Sequence, residues 1–321
     1  MSKEKKNLEK LYCLRKNSTC LFNDVEKVNC KCEKKTKENH LIQKAYYLKS
    51  IAKNGRVITF NDEEKSFYDR YMHSQERNIN KINKFNVFCG NHDKDLFFDI
   101  ENGNEFNKDN KKQCFQFALR AFTFNFSKIC VRSNFKLRNI VFEKRGYITL
   151  ERDMLTLEKF KECYKNDKYD EIETVVIELD KKIKWISCSC FYPFFDINHI
   201  YRGYINDKIF FNIFPNKEKS LIIMSYFKKS SKHCKKFCRR MEQYSKKNQK
   251  KLERYITKII CIHDKNIVLG PELYDRWSES EKKSFLEYNF LFRRPGIKNT
   301  IKGLMISFIG KPKFTLFEDF K

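Results

Sequence analysis

Among the first hundred residues, Cys20, Cys30, Cys32, His40, Cys89 and His92 are the side chains able to ligate a metal as a group. Zinc takes four thiolate or imidazole ligands in a tetrahedron, commonly as two close pairs from separate segments. Cys89 and His92, in Cys89-Gly90-Asn91-His92, make one pair at a three-residue offset, and Gly90 permits the tight turn that aims both at one ion. Cys20 with Cys30 or Cys32 supplies the other. The expected ligands of a structural Zn2+ are Cys20, Cys32, Cys89 and His92, with Cys30 the alternative to Cys32.

Carboxylates follow at once in "HDKDLFFDIEN". On a helix His92, Asp95 and Asp99 share one face, a layout that could hold Mg2+. Acids in a first helical turn also suit the positive end of the helix dipole, and Asp93 and Asp95 are read that way.

A second chemistry is electrostatic. Between Lys228 and Lys258 there are thirteen Lys and Arg against two acids. Lys235, Lys236, Arg239, Arg240, Lys246, Lys247, Lys250 and Lys251 fall off the apolar stripe of Phe237, Met241, Tyr244, Leu252, Tyr255 and Ile259. Such a face tracks phosphates with salt-dependent, sequence-blind affinity; a solvated helix face is the plain alternative. Cys234 and Cys238, with His233, Cys261 and His263 nearby, imitate a metal set but are read as core, as are Cys188 and Cys190. No Gly-rich phosphate loop or nucleophile elbow is present.

These residues need elements to position them. "LIQKAYYLKSIAKNG" reads as a helix stopped by Asn54-Gly55, "RVITF" and "NVF" as short strands, and 61–83 as an irregular polar stretch. A long apolar helix is expected over Lys112–Val131 and another near Leu155–Asn166. Then "IETVVIEL", "KIKWISCSCFY", "DKIFFNIFP" and "SLIIMSYF" read as antiparallel strands. Lys232–Ile262 reads as one basic helix and "GPELYDRWSESEKKSFLEYNF" as another, with Ser278 and Glu281 as a capping box. The expected fold is α+β: a small zinc-binding N-terminal module packed on a mixed body with an antiparallel sheet and long helices. The expected domains are 1–125 and 126–321.

Composition narrows the class. At 321 residues, with 41% apolar and 15% aromatic content, the chain can build a core and is not a disordered polymer. A formal charge of +26 favours polyanionic partners, DNA or RNA first, although an AT-rich coding sequence also enriches Lys. No apolar run nears the ~18–20 residues of a membrane span, and "MSKEKKNLEKLYC" lacks a signal-peptide core. A cytoplasmic protein with reduced thiols, and no membrane partner, is expected.

The segments "CEKKTKENHLIQKAYYLKSIAKNGRV", "FCGNHDKDLFFDIE" and "FALRAF" resemble a group of bacterial proteins of unassigned function. The shared pattern is a Cys, a His in "H-[SL]-I-Q", a helix ending "I-x-x-x-G-x-V", then "F-C-x-x-H-D-x-x-[IL]-F-x-x-I-E" and "[YL]-R-A-F". Its matching positions are Cys32, His40, Gln43, Gly55, Cys89, His92, Asp93, Phe97, Glu101, Arg120 and Phe122. More distantly, the region is similar to treble-clef modules of the HNH nuclease kind. That likeness implies His40 as general base, Asn91 and His92 opening the helix, and Mg2+ or Mn2+ at the leaving oxygen. Asn39 stands where such modules carry an acid, and the span to Asn91 exceeds a compact hairpin.

Three functional classes follow. The first is a zinc-stabilised nucleic-acid-binding protein, of the sort found among bacterial phage-defence (abortive infection) factors. The second is a metal-dependent endonuclease using His40. The third is a non-enzymatic protein-interaction module with a structural zinc.

Overall fold

A computed structural model describes residues 19–27, 30–40, 47–60, 74–82, 84–102, 104–138, 144–193, 207–229, 232–264, 266–293 and 313–317. In chain order these hold β1 (Asn39–His40), β2 (Arg56–Phe60), β3 (Ser74–Asn78), β4 (Lys84–Phe85), α1 (Gly90–Glu101), α2 (Lys111–Arg138) and α3 (Lys144–Lys165). There follow β5 (Ile172–Leu179), β6 (Trp185–Phe191), β7 (Ile209–Asn216), β8 (Lys219–Phe227), α4 (Lys232–Lys247) and α5 (Gln249–His263). β9 (Val268–Leu269), α6 (Pro271–Arg276) and α7 (Glu279–Arg293) complete the set. Among the described residues, no helix is long and apolar enough to cross a membrane.

The chain forms two compact units, one of Met1–Leu41, Lys84–Glu173 and Phe227–Lys229, the other of Ile42–Asn83, Thr174–Tyr226 and Ser230–Lys321. Residues 125 and 126, where a boundary was expected, lie inside α2. The fold is α+β, as the sequence pattern implies.

In the first unit β1 and β4 pair antiparallel, Asn39 opposite Phe85 and His40 opposite Lys84. Their 42–83 connection belongs to the second unit, so a hairpin is closed around an insertion. α1 buries His92, Leu96, Phe97 and Ile100, the spacing of one helical face. Its core is aromatic: Phe22 meets Phe88 edge-on at 5.5 Å, Phe88 meets Phe97 at 5.6 Å, and Phe160 stacks on Phe122 at 5.3 Å. Edge-to-face and offset pairs add to the burial itself. Buried Arg120 of α2 pairs with Glu101 and lies 4.1 Å above the Phe97 ring, clamping α1 to α2. Phe97, Glu101, Arg120 and Phe122 therefore serve packing.

The second unit is a seven-stranded sheet ordered β3-β2-β9-β6-β7-β8-β5. Pairs from β3 to β8 are antiparallel. The Thr174–Ser225 hydrogen bond and the Glu178–Lys219 ion pair show that β5 also runs antiparallel to β8. Alternate residues Ile209, Phe211, Ile213 and Ile222, Met224, Tyr226 face a core completed by Met241, Leu252, Ile256 and Phe285 from the helices. Trp185 and Trp277 donate their indole N–H groups to the carbonyls of Leu316 and Thr315, pinning the C-terminal segment there.

Several expectations shift. The 61–83 stretch contains β3, a polar edge strand with no apolar alternation to announce it. Pairing falls on Lys84–Phe85 rather than 86–88, although Val87 and Phe88 accept amide bonds from Leu21 and Lys37. Of the expected Leu41 helix, residues 41–46 lie outside the described ones; the turn Lys49–Ile51 ends at Ala52, which is extended (ψ 145°), and Asn54 (φ 52°) and Gly55 (φ 70°) make the tight turn into β2 rather than stopping the helix. The basic helix is two helices, because Asn248 turns extended and its side chain caps α5 through the Lys251 amide. The "GPELYDR…" helix also divides; Ser278 and Glu281 form the expected capping box at the start of α7.

Candidate metal centre

Cys89 caps α1 with extended backbone, and its sulfur accepts the His92 amide at 3.4 Å. A negatively charged sulfur is favoured at that end of a helix. One turn on, His92 projects to the same side. The opposite pair comes from the 19–37 loop, folded back so that Cys20 N–H donates to the Lys34 carbonyl at 2.7 Å. Lys34 N–H donates to the Cys32 sulfur at 3.3 Å. The loop is tied to the strand–helix joint by Leu21 to Val87 (2.8 Å), Lys37 to Phe88 (2.9 Å) and Gly90 N–H to the Glu33 carboxylate (3.1 Å).

Cys20, Cys32, Cys89 and His92 converge, their ligand atoms all within 4.8 Å of one another. His92 Nδ1 lies 3.4 Å from both the Cys20 and Cys89 sulfurs, and the Cys32 and Cys89 sulfurs are 3.9 Å apart. Zinc bonds of about 2.3 Å to sulfur and about 2.0 Å to nitrogen place tetrahedral S···S at ~3.8 Å and S···N at ~3.5 Å. Three of the six donor spacings match a four-coordinate ion, and the other three lie within 4.8 Å. His92 Nε2 sits 3.1 Å from the Val25 carbonyl, so its N–H donates there and the Nδ1 lone pair faces the sulfurs. Burial pushes the Cys20 and Cys32 thiols up and the His92 imidazole down, with the Cys89 and Phe22 amides opposing the rise at Cys20.

Cys30 is excluded from the group although it is buried. It bonds to the Tyr164 hydroxyl beside Asp95, and burial raises its thiol pKa. Tyr164 in turn donates to Asp95 at 2.6 Å. Asp93 alone lies in the first turn of α1; Asp95 is one turn deeper, so the helix-start reading holds for Asp93 and gives way at Asp95 to this hydrogen bond. Asp99 accepts from Gln116 at 3.1 Å and pairs with Lys112 at 3.1 Å. The Val25 carbonyl and Tyr164 carry no sequence signal, since both act through tertiary placement.

His40 stands in β1, opposite Lys84, and its side chain lies outside the described residues, as does His73. Asn91 donates to the Lys31 carbonyl at 3.0 Å and His92 belongs to the Cys3His group, so both helix residues of the nuclease likeness are engaged structurally. Among the described residues this is the one Cys/His/Asp/Glu group placed to hold a metal. Cys234, Cys238 and Cys261 lie in the core of the second unit, and His263 stacks on Phe191 at 4.5 Å.

On α4, Lys236, Arg239, Lys246 and Lys247 are exposed and Lys235 and Arg240 half-buried; on α5, Lys250 and Lys251 are exposed. Phe237, Met241, Leu252 and Ile259 turn inward. Glu242 pairs with Lys246 at 3.1 Å and Glu253 with Lys181 at 3.0 Å, which leaves the surface strongly positive. Fold and site thus define an α+β chain with a Cys3His group, buried except for the half-buried Cys32, and a basic two-helix surface. No protein-family model matches the sequence, nor does any curated protein or solved structure.

Proposed function

We propose that this chain is a zinc-stabilised protein that contacts nucleic acid, DNA or RNA, through α4 and α5. The observation that carries the zinc half is the Cys3His spacing of 3.4, 3.4 and 3.9 Å, with a second-layer carbonyl fixing the imidazole. Thiolate-rich closed sets select zinc over magnesium or calcium, and four protein ligands leave no open position for substrate. The role is structural. The nucleic-acid half is supported by the exposed Lys and Arg residues on two joined helices and by the +26 charge.

Elemental analysis tests the first half: one zinc per wild-type chain and none in Cys89→Ser. Heparin and DNA retention tests the second: binding at low salt that is lost by moderate salt. No retention at low salt would leave the protein-interaction reading in its place. The endonuclease reading keeps one support, the β1–β4–α1 order with His40 in its first strand. Plasmid nicking with Mg2+ or Mn2+ that disappears in His40→Ala, with zinc retained, would establish it.

A further inference from the structure

The seam where α4 meets α5 repeats one arrangement twice. Tyr244 has Arg240 four residues before it and Lys247 three after; Tyr255 has Lys251 four before and Lys258 three after. Residues at those offsets are neighbours on a helix surface, so each tyrosine sits between two cations. Both rings are half-exposed at the border of the apolar stripe, their inner edges packed against the core. They stack on each other at 5.2 Å and 27°, and the Lys251 ammonium lies 4.6 Å from the Tyr244 ring centre.

This is more than charge. A ladder of cations alone suits any polyanion. Rigid aromatic faces set between cations suit a chain whose charged backbone carries planar groups, because the planes stack while the phosphates pair. In a duplex those planes are already stacked on each other, out of reach of a ring held at the protein surface. A sulfated polysaccharide has no such planes at all.

We propose that the Tyr244–Tyr255 seam binds single-stranded nucleic acid, with a base taking the place of the Lys251 ammonium over the Tyr244 ring and phosphates on Arg240, Lys247 and the displaced Lys251. The proposal rests on reading α4 and α5 as a nucleic-acid contact and goes further in naming the strand state and the stacking ring. Glu242 and Glu253, the acids on these helices, are held by Lys246 and Lys181.

The test uses the full zinc-loaded chain and fluorescence anisotropy with a dye-labelled oligo(dT), its duplex of equal length, and heparin. The single strand should bind about tenfold or more tightly than the duplex at equal salt. Tyr244→Ala should lower oligo(dT) affinity about tenfold and leave heparin affinity unchanged, while Tyr244→Phe keeps both. Arg240→Gln with Lys247→Gln should weaken all three. Duplex binding as tight as single-strand binding overturns the proposal. So does a Tyr244→Ala variant that loses heparin and oligo(dT) affinity alike, or neither. If no probe binds the wild type at low salt, the broader nucleic-acid reading falls as well.

Discussion

His92 uses both ring nitrogens: Nδ1 faces two sulfurs at 3.4 Å, and Nε2–H is taken by the Val25 carbonyl. The Cys-x-x-His spacing makes this half of the site legible in the sequence. The choice between Cys30 and Cys32 is not legible, because it turns on the Tyr164–Asp95 pair from distant elements. A direct contrast follows: Cys32→Ser abolishes zinc binding, whereas Cys30→Ser retains one ion per chain by elemental analysis. Loss of zinc in both would put Cys30 among the ligands. The pH dependence has a definite sign. Metal needs thiolates and a neutral imidazole. Burial raises the Cys20 and Cys32 thiols, so they hold their protons at neutral pH and the ion must displace them. Burial lowers His92, which keeps its ring neutral below the ordinary imidazole range. Zinc affinity therefore climbs with pH, and loading the metal-free chain at about pH 7.5 releases two or more protons per ion, read with an indicator in weak buffer. For the metal-free fold the linkage reverses: the stability from buried neutral thiols is present below the ordinary thiol range and is lost as pH rises through the raised values.

At the scale of elements, legibility followed burial. β6, most of β7 and all but the first residue of β8 are buried, so their apolar runs announced strands. β3 is the edge strand of the same sheet, and its Ser-Gln-Glu-Arg-Asn carries nothing but polar side chains. The division of α4 from α5 was missed for the opposite reason: the apolar stripe runs through it, and a single Asn cap makes the break. Asn248→Ala should cost about 1 kcal/mol, a drop in Tm of a few degrees. Gly270 makes a stronger case at the start of α6. Its amide donates to the Lys184 carbonyl at 2.7 Å, and an added Cβ would meet the Ile51 carbonyl oxygen at 2.5 Å. Both neighbours are backbone and cannot rotate away. Gly270→Ala should destabilise the sheet unit by about 1–3 kcal/mol, measured by denaturant midpoint. A variant as stable as wild type would mean that β9 and the Lys49–Ile51 turn part freely.

At the scale of the whole molecule, the metal group and the sheet core are separate sources of order. All four ligands belong to the unit of Met1–Leu41, Lys84–Glu173 and Phe227–Lys229. The apolar cluster of Trp185, Met224, Met241, Leu252 and Phe285 belongs wholly to the other and includes none of the ligands. Among its described residues, the loop carrying Cys20 and Cys32 has little regular structure beyond isolated bridges such as Thr19 to Lys35 and Lys27 to Cys30. In the proposed zinc-bound form its register rests on the ion and a few amide bonds, so binding energy there is folding energy. The sheet unit has a large core of its own, and no metal-holding group lies among its described residues. Chelation should therefore act locally. By hydrogen exchange, amides of 19–38 and of α1 should lose protection in a strong chelator and regain it on adding zinc. Amides of β6 and β7 should exchange at the same rate in both conditions. Unchanged protection around Cys20 and Cys89 would remove the structural role of the metal. Loss of protection throughout would show that the sheet unit cannot hold its fold without the metal-bound one.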